Sequence, residues 1–506
     1  MRRYHDTLAP AAISHAQLLM TAPHPEFDVI IVGAGPAGIF CALELCRSSA
    51  CRVLIVERGP DICDRTCPAR RGGGCRNCTP CGITSGWGGA GAFSDGKLTL
   101  STEVGGWLNE FVPADQLTEL VTHVDTVWLE FGAPPTVYGG GQEAMTIAEA
   151  AARYDLTLVA SPVRHMGTER ARDILRRLRR ELAKSAEILT RTQVTQVLVE
   201  TAGRQKRVRG VELADGRQVT AGAVVLAPGR EGAGWAVGEY RRLCIPLATN
   251  PVDIGVRVEV AAPTLEPLTE TLYESKLRYR APTFGDAVRT FCMNPYGEVS
   301  LENYGDVVTV NGHSYAERKT DRSNFALLVS TRFTKPFDDP NSYGKSIARL
   351  ANLLGEHIIV QRLGDLAEGR RSTPERLAAG AVQPTLSGAT PGDLAFVLPY
   401  RHLQNILEML CALDHLAPGL NGPDTLLYGV EVKFYSARPT LDHGLQTPID
   451  NLYAIGDGAG ITRGLMQASA AGVVAARSIL ADDSSCAEHD GRGRRQRSEG
   501  SCRERL

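Results

Sequence analysis

The chain has 506 residues, 22% charged side chains and a formal net charge of −2, which is the composition of an ordinary globular protein. The net charge gives no electrostatic attraction to nucleic acid, and no apolar run approaches the ~20 residues of a membrane span, so neither is expected. A chain of this length predicts two or more domains. Residues 1–26 lack the apolar core of a secretion signal and are predicted to form a loose arm, which leaves the cytoplasm as the expected location.

The first motif is a strand that leads into a glycine loop and a helix. Residues 27–38 read FDVIIVGAGPAG, and their apolar run predicts a parallel strand that is buried on both faces. Gly33 permits a tight turn, Gly35 lets the backbone approach a pyrophosphate, and Gly38 allows the helix to pack close to the strand. The helix, predicted over residues 36–46, would direct its N-terminal amides at the phosphates.

A second apolar strand, residues 51–56, ends at Glu57. A carboxylate at this position can accept hydrogen bonds from both ribose hydroxyls of an adenosine, and it repels a 2′-phosphate, so NADP is disfavoured. The whole unit predicts a dinucleotide site, against the alternative of a glycine-rich turn without a ligand. No second unit of this kind follows Glu57, so a separate nicotinamide domain is not expected.

Periodicity and turn signals predict the elements downstream. Helices are expected over residues 115–131, 143–153, 168–184, 346–363 and 402–416, and strands over 188–200, 207–213, 223–226, 254–260, 288–293, 298–302, 307–310, 325–330 and 426–435. Residues 294–297 (NPYG) suit a type I turn, so the strands on either side are predicted to form a hairpin. Residues 482–506 are polar and poor in apolar side chains, which predicts disorder.

Three separated segments resemble the FAD-binding fold of glutathione-reductase-like proteins. They are the glycine loop above, the stretch from VTQVLVE to AVVLAPG, and NLYAIGDGAGITRGLMQASAAG from Asn451 onwards. The resemblance implies that backbone groups at Val194 bind adenine and that Asp457 binds the ribityl or phosphate region. It also implies that the helix beginning near Gly464 points its N-terminus at the pyrimidine edge of the flavin, where it would stabilise negative charge.

Further phrases, among them TNPVDIGVRVEV, RTFCMNPYGEVSLENYG and TLLYGVEVKFYSARP, resemble a family of largely uncharacterised FAD-dependent dehydrogenases that are distantly related to geranylgeranyl reductases. The resemblance implies an α/β fold, with a discontinuous Rossmann-like FAD-binding domain and a second, β-rich α+β substrate domain. The predicted divisions are the arm 1–26, the FAD-binding parts 27–114 (with a Cys- and Gly-rich loop, 59–98), 185–246 and 426–481, the helical substrate segment 115–184, the substrate domain 247–425 and the tail 482–506.

The cofactor contacts follow from these motifs and from the glycine-rich loop 84–98, whose backbone is predicted to pass against the pyrophosphate and isoalloxazine. A flexible lid is the alternative for this loop. The predicted FAD contacts are Gly33, Gly35, Pro36, Ala37, Gly38, Glu57, Arg58, Gly88, Gly89, Ala90, Val194, Ala227, Gly229, Gly456, Asp457, Gly464, Leu465 and Met466.

Five cysteines fall within the nineteen residues from Cys63 to Cys81. Cys67, Cys75, Cys78 and Cys81 have metal-ligand spacing, and soft thiolates would suit an iron–sulfur cluster or a structural zinc. A redox disulfide and thiols that simply pack a loop remain open alternatives. An iron–sulfur cluster here would adjoin the flavin loop and could relay electrons to FAD.

Candidate catalytic residues are Lys433 and Tyr435, which alternation places on the polar face of the strand 426–435, together with Lys97 and Tyr296. Arg289 and His313 are weaker candidates. The predicted function is an FAD-dependent dehydrogenase or reductase that moves a hydride between a small molecule and flavin N5. An electron-transfer protein is a further expected partner, and a structural or partner-binding FAD and an FAD monooxygenase are the alternative functions.

Overall fold

A computed structural model describes residues 25–67, 76, 78–94, 96–159, 161–203, 205–304, 306–314, 319–337 and 339–482. The predicted arm and tail therefore lie almost wholly outside the described residues. No helix within the described ranges is long and apolar enough to cross a membrane.

The strands are β1 (Phe27–Val32), β2 (Val53–Val56), β3 (Lys97–Thr99), β4 (Leu156–Leu158), β5 (Val163–His165), β6 (Ala186–Leu189), β7 (Val194–Ala202), β8 (Gln205–Leu213), β9 (Gln218–Leu226), β10 (Leu247–Ala248), β11 (Val252–Ala261), β12 (Leu277–Arg280), β13 (Ala287–Asn294), β14 (Glu298–Asn303), β15 (Val308–His313), β16 (Arg322–Thr331), β17 (Ile359–Arg362), β18 (Thr390–Pro391), β19 (Leu426–Lys433), β20 (Arg438–Pro439) and β21 (Leu452–Ala454).

The α-helices are α1 (Pro36–Ser48), α2 (Ala114–Glu130), α3 (Gln142–Ala152), α4 (Thr168–Leu182), α5 (Ala233–Arg242), α6 (Ala262–Leu272), α7 (Pro340–Gly355), α8 (Leu363–Ala367), α9 (Pro374–Ala379), α10 (Tyr400–Asp414) and α11 (Leu465–Asp482). Short 3₁₀ helices lie at Gly89–Phe93, Leu108–Glu110, Leu394–Phe396 and Asp457–Ala459.

The first sheet is assembled from segments that are far apart in sequence. Its strand order is β6-β2-β1-β9-β8-β7, and β21 also pairs with β9. The strands β6, β2, β1, β9 and β21 pair in parallel, while β7, β8 and β9 form an antiparallel meander. All four residues of β2 and the last four of β1 are buried, as parallel strands covered on both faces require. This is the predicted discontinuous Rossmann-like domain.

The second sheet has the order β18-β17-β19-β11-β16-β13-β12-β4 and is almost entirely antiparallel. Its core is separate from that of the first sheet and is built from β11, β16 and β19 with α7 and α10. The α/β fold class with a second, β-rich domain is therefore confirmed. The helical segment 115–184 is divided between the two cores: α2 and α4 pack on the first, whereas β4 pairs with β12 of the second. The predicted domain boundaries stay a prediction.

Three predicted features of secondary structure are wrong. The strand predicted over 188–200 is two strands, β6 and β7, with Arg191 in a left-handed conformation between them. The helix predicted over 346–363 ends at Gly355, because Glu356 adopts a left-handed conformation and the chain turns back into β17.

The third wrong prediction is the turn at residues 294–297. Tyr296 has a φ of 50°, whereas a type I turn needs a negative φ at that position. The strands on either side do not pair with each other: β13 pairs with β12 and β16, while β14 pairs with β15. The predicted hairpin is therefore replaced by a crossing from the large sheet to a separate ribbon.

Helix α11 packs closely on α1 through Gly472. A Cβ added at Gly472 would lie 2.2 Å from the carbonyl oxygen of Ala37 and 2.8 Å from the amide nitrogen of Cys41. Both neighbouring atoms are backbone atoms, so they cannot move aside cheaply.

We expect Gly472→Ala to lower the melting temperature and to weaken retention of FAD, because α11 would be pushed away from α1. The matched control is Gly238→Ala in α5, where an added Cβ meets nothing within 4 Å. The control should hold or raise the melting temperature, since alanine is favoured over glycine inside a helix by about 0.5–1 kcal/mol. Equal stabilisation by both changes would contradict the packing argument.

Candidate active site

The glycine loop after β1 has the geometry that its sequence predicts. Gly33 has a φ of 111°, and an added Cβ would lie 2.2 Å from the carbonyl oxygen of Ala227. A Cβ at Gly38 would lie 2.1 Å from the carbonyl oxygen of Gly33, so α1 packs tightly against the turn. At Gly35, in contrast, an added Cβ meets nothing within 4 Å. The loop therefore leaves space at the one glycine where close approach to a phosphate is expected.

The second and third FAD-like segments meet this loop directly. Gly456 lies so close to α1 that an added Cβ would be 2.9 Å from the Cβ of Ala37. A Cβ at Gly458 would be 2.8 Å from the carbonyl oxygen of Gly229. Gly229 and Gly464 both have positive φ and open space where a Cβ would be. Each of the three segments thus contributes a glycine that faces open space, which fits the surface of a bound dinucleotide.

The glycine-rich loop completes this surface. The amide of Gly88 donates to the carbonyl oxygen of Ala34 at 2.7 Å. A Cβ at Gly89 would be 3.1 Å from the Cα of Gly35, and one at Gly91 would be 2.6 Å from Cδ2 of Leu465. This loop therefore contacts both the first glycine loop and the start of α11.

Glu57 is buried, and backbone amides already bind its carboxylate. Oε2 accepts from the amide of Ala34 at 2.9 Å, and Oε1 accepts from the amides of Gly59 at 2.8 Å and Gly86 at 2.9 Å. A carboxylate has about four acceptor positions, so one remains for a ligand hydroxyl. Glu57 thus organises two loops in addition to its predicted contact with ribose.

Arg65 is the second organiser of the glycine-rich loop, and sequence reasoning missed it. Its fully buried guanidinium donates to the carbonyl oxygens of Gly82 (3.0 Å), Ile83 (2.6 Å), Trp87 (2.6 Å) and Gly89 (2.7 Å). Burial lowers the pKa of Arg65 to about 10, while the nearby Glu57 carboxylate opposes that shift. The side chain therefore remains charged at neutral pH and binds the carbonyls of a loop that has little regular structure.

Other predicted cofactor contacts lie near the surface that the three FAD-like segments and the glycine-rich loop form. Arg58 donates to the hydroxyl of Ser85 and pairs with Glu231 at 3.1 Å, which links the glycine-rich loop to the segment after Gly229. Val194 is buried at the start of β7, and Met466 is buried in the first turn of α11. Pro36 begins α1, and its ring lies near Gly91. Which of these residues contact FAD stays a prediction.

Lys433 reaches a buried ionic network where the two domains meet. Its Nζ lies 2.8 Å from Oε2 of Glu302 and 3.0 Å from Oε1 of Glu431. Arg257 binds both oxygens of Glu431, at 2.7 and 2.9 Å. Burial alone would raise the pKa of Glu302, but Lys433 and Arg230 lower it to about 2. Lys433 is therefore a fixed positive charge rather than a free base.

Tyr435 lies beside this network in a second ionic group. Its hydroxyl donates to Oδ2 of Asp253 at 2.7 Å and accepts from Nη2 of Arg289 at 3.0 Å. Arg289 also pairs with Asp253 at 2.6 Å. Burial raises the pKa of Tyr435, and Arg289 opposes that effect. The phenol is consequently neutral and already committed to Asp253.

The other two catalytic candidates have different surroundings. Lys97 donates to the carbonyl oxygen of Met293 at 2.9 Å and lies 3.5 Å from Glu274, so it joins the glycine-rich loop to β13 of the second sheet. Tyr296 instead donates to Glu266 of α6 at 2.8 Å, and Lys319 lies over its ring. The structure brings Lys433 and Tyr435 to the domain interface and Lys97 to a bridge across it, but these contacts place Tyr296 elsewhere.

The FAD-like segments contribute charges of their own to this interface. Nε of Arg230 lies 3.8 Å from Oδ2 of Asp457, and Asp457 also accepts from the hydroxyl of Thr462 at 3.0 Å. Burial raises the pKa of Tyr304 to about 12, Glu302 adds to that effect, and the cations Lys433, Arg230 and Arg463 oppose it. Arg230 and Asp457 therefore lie within electrostatic reach of the Glu302 network.

Several of these residues carried no recognisable signal in the sequence. Asp253, Glu302, Tyr304 and Arg463 lie within phrases that resemble FAD-dependent proteins, but nothing in those phrases marked them as site residues. Arg65 and Arg230 lie outside the quoted phrases, and only the fold brings the six together. A polar residue within a predicted strand, such as Asp253 in DIGVRVEV or Glu302 in VSLEN, was the one available hint.

The cysteine cluster lies partly outside the described residues, because Cys75 is not among them. Cys63, Cys67, Cys78 and Cys81 have free thiols. A Cβ at Gly82 would be 2.8 Å from the carbonyl oxygen of Thr66, so the residues next to Cys67 and Cys81 touch. Across the described part of the chain, no three His, Cys, Asp or Glu side chains form a group that could hold a metal ion.

Comparison with known proteins supports the reading of both domains. Residues 253–434 match a family model described as "FAD-dependent protein, C-terminal domain-like", and residues 31–80 match "NAD(P)-binding Rossmann-like domain". The resemblance to FAD-dependent proteins is thereby confirmed. No curated protein matches the chain.

Solved structures resemble this chain only distantly. L-proline dehydrogenase from P. horikoshii is 12% identical over 90% of this chain and 94% of its own (TM-score 0.39), and pyridoxine 4-oxidase from Mesorbium loti is 15% identical over 89% and 99% (TM-score 0.39). THI4 from Thermovibrio ammonificans is 18% identical over 44% of this chain and 64% of its own (TM-score 0.27), so the alignment spans less than two thirds of that protein. At these scores the likenesses carry no argument about function.

The contacts of Arg65 lead to a direct test of the glycine-rich loop. We expect Arg65→Lys to lose FAD on gel filtration and to melt at a lower temperature, because an ammonium cannot reproduce the planar fork of a guanidinium. Leaving buried carbonyls without donors costs about 1–3 kcal/mol for each group.

The control for this test is Arg180→Lys on α4, where the side chain is exposed. It should leave both FAD content and melting temperature at the wild-type values. Wild-type FAD retention in Arg65→Lys would show that the loop holds its position without the guanidinium.

Proposed function

Starting from the match to FAD-dependent proteins, we propose that this chain is an FAD-dependent oxidoreductase, a dehydrogenase or reductase acting on a small molecule. Bound FAD would supply two-electron chemistry by exchanging a hydride at flavin N5. The residues suited to hold it are the glycines of the three segments, Glu57 and Asp457.

One observation carries the proposal: ionisable side chains from the β-rich domain converge on the charged pair of the FAD-like segments. Burial raises the pKa of Asp457, and the positive charge of Arg230 opposes that rise. Lys433 and the same Arg230 lower the pKa of Glu302, so Asp457 and Glu302 lie in one region. Buried charges are costly to desolvate, and a flavin that served only a structural purpose would not require them. This favours chemistry over a structural or partner-binding FAD.

The chain's own residues then have distinct roles. Lys433, held between Glu302 and Glu431, supplies a fixed positive charge. The pair of Tyr435 and Asp253 orients Arg289. Tyr304, with a pKa of about 12, stays protonated at neutral pH and is the residue we propose to donate the proton that accompanies hydride transfer to a substrate.

Reduction kinetics of the purified yellow protein test this proposal. Because the sequence predicts no second dinucleotide domain, NADH and NADPH should bleach the flavin slowly or not at all under anaerobic conditions. A dialysable fraction of small metabolites should bleach it in stopped flow. Tyr304→Phe should retain FAD but slow that bleaching by about a hundredfold, the lower range for loss of a general acid or base.

The control variant is Tyr400→Phe, whose side chain is 70% exposed on α10. It should bleach at the wild-type rate. Fast, saturable reduction by either nucleotide alone, or wild-type rates in Tyr304→Phe, would contradict the proposal.

We also propose that the cysteine loop holds a metal centre, with an iron–sulfur relay from a partner protein favoured over structural zinc. The support is local. Cys67 and Cys81 adjoin the contact between Thr66 and Gly82, and Gly82 accepts from Arg65, which also binds the glycine-rich loop. A centre here would be separated from the flavin by that loop alone.

Metal analysis of anaerobically purified protein tests this second proposal. About four iron per chain would indicate a cubane cluster, and one zinc a structural site; Cys78→Ser should remove either metal. Cys411→Ser, an exposed thiol on α10, is the control and should leave the metal content unchanged. Freely titrating thiols and no bound metal would eliminate the relay.

A further inference from the structure

Arg463 lies at the meeting point of the two domains and forms no ion pair with any carboxylate that the structure describes. Its Nη1 donates to the carbonyl oxygen of Phe434 at 3.2 Å. Among the described residues, no acidic side chain lies within ion-pairing distance of it. It directly precedes Gly464, which leads into α11, so it lies beside the segment predicted to face the flavin.

The neighbouring cations, in contrast, each have an acid. Arg289 pairs with Asp253 at 2.6 Å, Lys433 with Glu302 at 2.8 Å, and Arg230 lies 3.8 Å from Asp457. Lys97 and Lys276 share the single carboxylate of Glu274. The region therefore carries net positive charge, and Arg463 is a cation within it that none of the described acids pairs.

Two aromatic rings connect Arg463 to Arg289. The Cζ of Arg463 lies 4.6 Å from the ring centroid of Tyr435 and 5.7 Å from that of Phe291. The Cζ of Arg289 lies 4.7 Å from the centroid of Phe291, and its Nη2 contacts the hydroxyl of Tyr435. Both guanidinium groups thus border the same pair of rings. Arg289 is 28% exposed in its side chain and uses Nη2 for both of its contacts with Asp253 and Tyr435.

We propose that the substrate of this oxidoreductase is an organic acid, and that Arg463 together with Arg289 binds its carboxylate beside the rings of Phe291 and Tyr435. The inference rests on the proposed function, because it describes the substrate of the same site. A guanidinium offers a planar fork that matches a carboxylate with two parallel hydrogen bonds. The aromatic rings hold the guanidinium planes and offer an apolar surface for the remainder of the acid.

Binding of acid and amide pairs to the FAD-loaded protein tests this assignment. The probes are benzoate against benzamide and acetate against acetamide, at constant ionic strength, followed by perturbation of flavin absorbance and by thermal shift. At least one acid should bind about tenfold more tightly than its neutral amide, the range expected for hydrogen bonds to a charged group. Arg463→Gln should remove that preference, and Arg463→Lys should keep part of it.

The control variant is Arg477→Gln, on α11 but paired with Glu44 at the surface. It should bind the acid like the wild type. Equal binding of acid and amide, preference for inorganic phosphate over both acids, or an undiminished preference in Arg463→Gln would overturn the proposal. Loss of FAD from Arg463→Gln with wild-type acid binding in the remaining holoprotein would assign Arg463 to the cofactor instead, and so also overturn it.

These results separate the two proposals. A protein that binds no FAD, or whose FAD no metabolite reduces, fails the proposed function even if thermal shift still reports tight acid binding. A protein that is reduced by a metabolite but does not distinguish acid from amide fails only the carboxylate assignment.

Discussion

The arrangement of the site depends on two buried, oppositely charged side chains that hold a loop with little hydrogen bonding of its own. Between Gly82 and Gly89 the backbone lacks helix and strand, so its polar groups need other partners. Arg65 binds the carbonyls and Glu57 the amides, and the negative charge of Glu57 helps Arg65 to remain charged when buried. Neither residue could be replaced by an apolar one without orphaning several backbone groups, even though burying them is itself costly.

The position of this loop also determines where the β-rich domain lies. Lys97 lies at the end of the loop, in the short strand β3, and binds Met293 and Glu274 of the second domain. Gly91, earlier in the loop, packs against Leu465 at the start of α11. The same stretch of chain is therefore fixed to the dinucleotide loop, to α11 and to the domain that carries Glu302 and Lys433. A displacement of the loop would move all three relative to one another.

The sequence predicted the local features of the site and missed its long-range ones. Gly33, Gly38 and Glu57 were recognisable because they belong to one strand–loop–helix–strand unit, although Ala227 and Gly86 from later segments also contact them. Alternation predicted that Lys433 and Tyr435 lie together, since residues two apart on a strand share a face. The two side chains do lie side by side, although β19 ends at Lys433 and Tyr435 follows it. No comparable rule identifies Arg65, whose partners are loop carbonyls. The hairpin predicted around residues 294–297 failed for a related reason: turn composition says nothing about which strands will pair afterwards.

The charge balance at the domain interface is another long-range feature, because it depends on groups that both domains contribute. Asp457 and Glu302 come from different domains, yet both experience Arg230 and Arg463. Glu302 is already bound to Lys433, and Asp457 faces Arg230, so little negative charge is left for Arg463. The N-terminal end of α11 adds further positive potential immediately after it. Arg463 and the N-terminus of α11 are thus two adjacent positive groups, and the nearby acids already pair with other cations. An anionic group bound there would balance their charge.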